Sequence, residues 1–311
     1  MSRVRRWVVT LGVALAIAVA WAVPAQAGDL DDYLERAADA DYTGRRVVVT
    51  TWDGRTEAEI VEVTRVGGVV MIAGPTSDIM IGEGKVAMDG AGGVALAVWS
   101  APAAGDKYTA TEVGDVTRLG RPARSVTIYE GTVVRARIIF DVATWVPLVT
   151  EIYDGDGDLF RVAAFTDLEE VPGQAVAAVR NHEGDAYDVV PRVDNSTLPE
   201  TAAGYQRLDT YLGADGIAHG FYGDGLFSFS VFVVPAVGAT PQLDGGDVRS
   251  LAGHRYGVVV EAHEVWVSWR HGRTGYILVG DLPPDHLELV LDDLPAPKAP
   301  NLLERFFDLF G

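Results

Sequence analysis

Arg46-Val-Val-Val-Thr-Thr-Trp52, then Asp53-Gly54, then Glu57-Ala-Glu-Ile-Val-Glu-Val-Thr64: two extended runs around a tight turn set the character of this chain. The first run is β-branched and aromatic, which suits a pleated, half-buried surface. Asp-Gly tolerates the positive φ of a two-residue hairpin turn, and the second run resumes an extended, partly alternating pattern. The same grammar recurs at 69–72, 85–88, 95–100, 125–129, 133–140, 148–153 and 160–165, with Gly, Pro or Asp between the segments. Short connections predict antiparallel neighbours, hence a large meandering sheet with little helix. Such a sheet buries one face and needs a cover. Leu30, Tyr33, Leu34, Ala37 and Ala38 recur at three-and-four spacing and predict the covering helix over 30–40.

Outward from that half, composition changes near 182–200, where Pro191 and Pro199 bracket a polar stretch containing the sequon Asn195-Ser-Thr197. The expected organisation is a first domain at 28–185, a linker at 186–200 and a second domain at 201–294. In the latter, Phe227, Phe229, Val231 and Val233 alternate with Ser228, Ser230 and Phe232 as a half-buried strand. Extended runs at 258–260, 264–269 and 276–279 follow, the last two joined by a turn at His271–Gly275. Pro283-Pro284 opens a helix with the stripe Leu287, Val290, Leu291 and Leu294, expected to close the second sheet. Residues 295–311 read as a Pro-rich spacer and a terminal segment rich in Phe306, Phe307 and Phe310. The fold class expected is α+β, mostly antiparallel β, in two domains each with its own core.

At the start, Arg3, Arg5 and Arg6 precede an apolar run to Val23, and Ala25-Gln-Ala27 supplies a small-x-small cleavage site. Residues 1–27 therefore read as a signal peptide, and the product as exported, periplasmic or otherwise extracytoplasmic. The chain has no cysteine, so an exported product has no disulfide and no thiolate metal site, and stability rests on burial. Removing three arginines takes the formal charge from −19 to −22. A surface that acidic repels phosphate backbones, which makes nucleic acid an improbable partner and leaves basic protein surfaces or neutral apolar ligands compatible.

Searches for chemistry return little. His263-Glu264 begins like a zinc-protease helix, but position 267 is Val inside an alternating strand pattern. Asp154-Gly-Asp-Gly-Asp158 has Leu159 where a calcium loop needs Gly and Phe165 where it needs Glu, so it reads as a hairpin turn. Gly220-Phe-Tyr-Gly-Asp-Gly225 lacks a strand-then-helix context and reads as the turn before the Phe227 strand. His182, His271 and His286 read as solvated or structural. No catalytic residue, metal ligand or cofactor site is assigned. Candidate contacts for a partner or lipid are Phe227, Phe229, Phe306, Phe307 and Phe310.

Tyr222-Gly-Asp-Gly-Leu-Phe-Ser-Phe-Ser-Val-Phe-Val233 resembles the C-terminal domain of the RseB/MucB family, periplasmic regulators of the envelope-stress sigma factor. Leu198-Pro199 with Gly204-Tyr205 is similar to that domain's opening, and Tyr276-Ile-Leu-Val-Gly-Asp-Leu-Pro-Pro284 to its final strand and last helix. Phe140-Asp-Val-Ala-Thr-Trp-Val-Pro-Leu148, Asp154–Gly157 and Phe165-Thr-Asp-Leu168 are similar to the lipoprotein-carrier-like (LolA-like) half, a curved sheet or half-barrel around a helical plug. The resemblance implies binding the extracytoplasmic domain of an anti-sigma factor, shielding it from proteolysis, and release on a lipid or glycolipid signal. The alternative is a lipid or lipoprotein carrier or lipid sensor. An Ala/Gly/Val/Asp-rich composition, the long tail and the acidity are departures from the family pattern, and self-association is left open.

Overall fold

A computed structural model describes residues 27–28, 30–66, 69–73, 78–82, 85–89, 107–169, 198–212, 217–235, 243 and 246–299. The signal segment up to residue 26, the strand expected at 95–100, His182, most of the linker with its sequon, and Phe306, Phe307 and Phe310 lie outside the described residues.

The first sheet is built from β1 (Ala27–Gly28), β2 (Tyr42–Trp52), β3 (Arg55–Val66), β4 (Val69–Ala73), β5 (Asp78–Gly82), β6 (Lys85–Asp89), β7 (Tyr108–Arg118), β8 (Arg121–Glu130), β9 (Val133–Asp141), β10 (Pro147–Tyr153) and β11 (Leu159–Phe165). The predicted hairpin forms: Trp52 stands opposite Arg55, with Asp53 at φ 53° and Gly54 at φ 73° between them. Positive φ at both central residues gives the turn whose twist matches the flanking strands.

Strand order corrects the simple meander. It runs β1-β7-β8-β9-β10-β11-β2-β3-β4-β5-β6, so two meanders are joined where β11 returns to pair with β2. The sheet is open, with β1 and β6 as its edges. Helix α1 (Leu30–Ala38) buries Leu30, Tyr33, Leu34 and Ala37, the stripe read from spacing. Tyr33 stacks on Phe140 at 6.0 Å, its hydroxyl donates to Glu112, and the Arg36 guanidinium lies 4.7 Å from the Trp145 ring centroid. Full burial of Leu34 contributes about 1.5–3 kcal/mol.

The second sheet comprises β12 (Thr201–Ala202), β13 (Tyr205–Leu212), β14 (Ala218–Gly223), β15 (Ser228–Pro235), β16 (Asp247–Leu251), β17 (His254–Val260), β18 (Val265–His271) and β19 (Thr274–Gly280), in the antiparallel order β12-β13-β14-β15-β19-β18-β17-β16. Helix α2 (Pro284–Asp293) follows, with Pro283 at its N-cap and Pro284 at the first position, where the missing N–H costs nothing. Leu294 donates to the Val290 carbonyl, and Pro295 stops further winding.

Two expectations change here. Gly220–Gly223 belong to β14; the turn is Asp224–Phe227, fixed by Asp224 Oδ1 accepting the N–H groups of Leu226 and Phe227. The β15 strand is buried on both faces near its start, since Ser228 and Ser230 are covered as fully as Phe229 and Val231. A central strand flanked by β14 and β19 has no solvent edge, and its small serines admit close neighbours. The cores are not wholly separate either, although a smaller cluster around Val48, Val61 and Phe165 belongs almost entirely to the first sheet. The larger buried cluster runs continuously from α1 and β7–β11 through β13–β19 to α2, so both sheets share it.

Candidate functional site

Because the core is shared, the seam between the sheets is where side chains of distant sequence meet. On one side it is a polar latch. Arg135, from β9 and only 8% exposed, donates through Nε to Glu130 Oε2 and through Nη1 to Asp285 Oδ2, each at 2.7 Å. The same Glu130 oxygen lies 2.9 Å from Nε2 of His286 on α2, while Nδ1 of His286 lies 2.6 Å from the Tyr205 hydroxyl. Burial keeps Tyr205 protonated, so its hydroxyl donates to Nδ1 and Nε2–H donates to Glu130. That hydrogen bond holds the Glu130 carboxyl down at about 2 against the opposing effect of burial, with Lys107 and Arg135 assisting. Lys107 Nζ and Tyr108 Oη both reach Asp224 Oδ2 at 2.5 Å, and Lys107 also sits 4.6 Å over the Tyr205 ring. Asp224 therefore makes the β14–β15 turn with one oxygen and anchors the first sheet with the other.

On the other side of the seam is a cavity of about 90 Å³. Val48, Val61, Ile72 and Ala163 give it an apolar wall; Arg46, Arg65 and Arg161 from the first sheet, with His263 and Asp281 from the second, give it polar groups. Arg161 donates through Nε to Thr50 Oγ1 at 2.7 Å, Thr50 in turn donates to the Ala262 carbonyl at 2.5 Å, and Nη2 of Arg161 makes no hydrogen bond. Burial lowers the Arg161 guanidinium to about 10 and raises the Asp281 carboxyl to about 7. Three cationic arms beside an apolar wall suit a ligand with an anionic head and a hydrocarbon body.

A serine and a histidine do meet, at Ser230 Oγ and His219 Nε2, 2.8 Å apart on adjacent strands. Nucleophilic attack needs an approach to the hydroxyl. Ser230 is 3% exposed and does not line the cavity, and His219 is stacked on Phe232 at 4.4 Å and held down at about 4 by burial. The pair reads as a cross-strand polar contact.

Of the sequence candidates, Phe227 and Phe229 lie in the shared core at 2% and 0% exposure, Phe227 edge-on to Tyr108 and His286, Phe229 against Tyr205 and Tyr222. In this conformation they join the sheets rather than face a partner. His286 is structural and fully inside; His271 donates through Nδ1 to the Ala296 carbonyl, 2.6 Å away. Asp154–Asp158 is a turn, with Asp154 Oδ1 accepting the N–H groups of Asp156 and Asp158. Sequence reasoning missed Glu130, Arg135, Asp224 and Arg161. The only signal for them was charged residues placed inside otherwise apolar strands or beside glycine turns.

Across 87% of this chain and 98% of the other, the arrangement superposes on a crystal structure of MucB, with a TM-score of 0.52 and 20% sequence identity. The fold is that of MucB. Two further structures, the Pseudomonas aeruginosa MucA/MucB complex and MucB in complex with MucA(peri), match with TM-scores of 0.50 at 22% and 21% identity, each over 87% of this chain and all of the other. No protein-family model matches the chain, and no curated protein does.

Proposed function

We propose that this protein is an extracytoplasmic binding protein that holds the extracytoplasmic domain of an anti-sigma factor and governs its exposure to proteolysis. One observation carries the reading: the MucB fold extends over both sheets of this chain, and solved MucB structures include complexes with MucA. In support, the N-terminal residues have the layout of a cleaved export signal, and α1 sits against β7 as a plug sits in a curved sheet. On this reading residues 28–185 and 201–294 are two lobes joined by 186–200, and the terminal phenylalanines are further contact candidates. The test is capture of membrane proteins on immobilised residues 28–311. Recovery of a single-span anti-sigma factor whose outer domain is shielded from protease in the complex is expected. Reproducible capture of none argues the reading down.

A second reading is favoured by the cavity lined by Arg46, Arg65 and Arg161: a carrier or sensor of lipids with acidic heads. Solvent extraction and mass spectrometry of protein purified without detergent distinguish it. A reproducible stoichiometric lipid supports the carrier, and none removes its basis.

A further inference from the structure

The turn between β17 and β18 carries three donors in four residues. Glu261 N–H donates to the Glu264 carbonyl at 2.9 Å, closing the turn, and the Ala262 carbonyl is clamped to Thr50 of the first sheet. Side-chain ligand atoms of Glu261, His263 and Glu264 lie within 4.8 Å of one another. His263 is 6% exposed and Glu264 1%. Neither ring nitrogen of His263 makes a hydrogen bond, and neither does Glu264 Oε2, while Glu264 Oε1 accepts from the Trp266 indole at 2.8 Å. His263 Nδ1 stands 3.1 Å from Glu59 Oε2, at an angle too oblique for a hydrogen bond, and Nε2 stands 3.7 Å from Glu264 Oε1.

Each ring nitrogen of this imidazole thus faces a carboxylate. A neutral ring has one N–H and one lone pair, so whichever tautomer forms, a buried acceptor nitrogen is left without a donor, in conflict with its burial. A cation at the lone pair resolves the conflict.

We propose that Glu261, His263 and Glu264 bind one divalent transition-metal ion of the zinc class, through His263 Nε2 and the two carboxylates, with Glu59 orienting the ring from the Nδ1 side. One imidazole and two carboxylates are a borderline donor set that fits zinc, manganese or ferrous iron rather than copper(I). A carboxylate on the far nitrogen of a ligating histidine is the usual orienting partner. Ligands on one tetrahedral zinc stand about 3.4 Å apart; Glu261, the partly exposed member, has the freedom to close on the other two. Arg46 and Arg161 face the same site and weaken the field for a cation. The ion would fasten the turn to β3 through Glu59 and so brace the seam. The sequence hid this site because its donors are spaced for a turn, not a helix face.

The test uses tag-free residues 28–311 stripped with EDTA and titrated with Zn²⁺ against a chromophoric chelator. One ion per chain is expected. His263→Gln and Glu264→Gln weaken it at least 100-fold, Glu59→Gln weakens it about 10–100-fold, and His254→Gln, at an exposed position, changes nothing. Failure of the wild type to bind, or binding unchanged in His263→Gln, overturns the proposal in favour of a proton shared between the two carboxyls. X-ray absorption of the zinc-loaded wild type needs no variant: one imidazole with oxygen donors supports the site, and a spectrum without imidazole sinks it. Neither readout involves a protein partner, so the result stands apart from the proposed binding function.

Discussion

Nε2 of His286 on helix α2 lies 2.9 Å from Oε2 of Glu130 at the end of β8, joining residues 156 positions apart across the seam between the two sheets. With Tyr205 behind the ring and Arg135 beside the carboxylate, this is a chain of hydrogen bonds whose central link, Glu130 to His286, exists only with both sheets in place. Removing one partner of such a pair leaves the other desolvated and unpaired, whereas removing both leaves less behind.

His286→Ala is therefore expected to destabilise the protein by about 3 kcal/mol, more than Glu130→Gln does, with a coupling of about 1–3 kcal/mol in the double-mutant cycle. Urea unfolding of the four proteins measures it. Additive effects would show that the two residues do not share one network.

Acid should loosen the seam in two stages. His263 and His219 are both held at about 4 in the folded protein against 6.5 unfolded, so they take up protons only on unfolding, and their contribution to stability falls as pH drops from about 6.5 to 4, a stage read as the difference from His219→Gln. Glu130, at about 2 against 4.5, contributes stability that is complete above 4.5 and disappears as pH falls towards 2. Unfolding midpoints followed from pH 7 to 2 should show both stages, and Glu130→Gln should flatten the lower one alone.

Alkali acts through the opposite sign. Burial raises Asp281 to about 7 and Glu264 to about 9, the latter with the Glu261 charge adding to the effect, so the folded state keeps protons that the unfolded chain gives up near 4. Their contribution to stability declines as pH rises from about 4.5 to 9, and above about 6.5, where the histidines no longer offset it, the stability of the protein should decline with it. In metal-free buffer, Glu264→Gln should raise the urea midpoint at pH 8.5 and leave it nearly unchanged at pH 5. No gain at pH 8.5 would mean that Glu264 is ionised without cost in the native state.

Gly280, at the end of β19, has no room for a side chain: an added Cβ would stand 2.6 Å from Phe229 Cβ and 2.9 Å from the Ser228 carbonyl. Gly280→Ala must push apart β15 and β19 at the core, and a loss of about 1–3 kcal/mol is expected from such overpacking. Thermal unfolding compared with Gly253→Ala, whose Cβ would meet nothing within 4 Å but whose φ is 72°, separates steric crowding from backbone strain.

Local rules determined much of this molecule from sequence alone. The Asp53-Gly54 turn, the β-branched runs on either side, the α1 stripe at Leu30, Tyr33, Leu34 and Ala37, and the Pro283-Pro284 start of α2 all follow from short-range sterics and the periods of helix and strand. Strands such as β7, with Gly114 inside it, and β13, with charges at Arg207 and Asp209, went unread because their partners supply what their composition lacks. Turns at Leu119-Gly120 and Ala252-Gly253 were equally silent, since a non-glycine residue at φ 53° or 46° is imposed by the hairpin around it.

What only the tertiary structure decided is the pairing of β11 with β2, the large buried cluster shared by the two sheets, and the company kept by charges. Glu130 could not be told from a solvated glutamate until His286 arrived from the other end of the chain, and His263 and Glu264 look like ordinary strand residues until β3 covers them. Hydrophobic period fixes which face of a strand turns inward, a property of neighbours in sequence; which buried charge meets which depends on contacts separated by more than a hundred residues, and no local pattern encodes those.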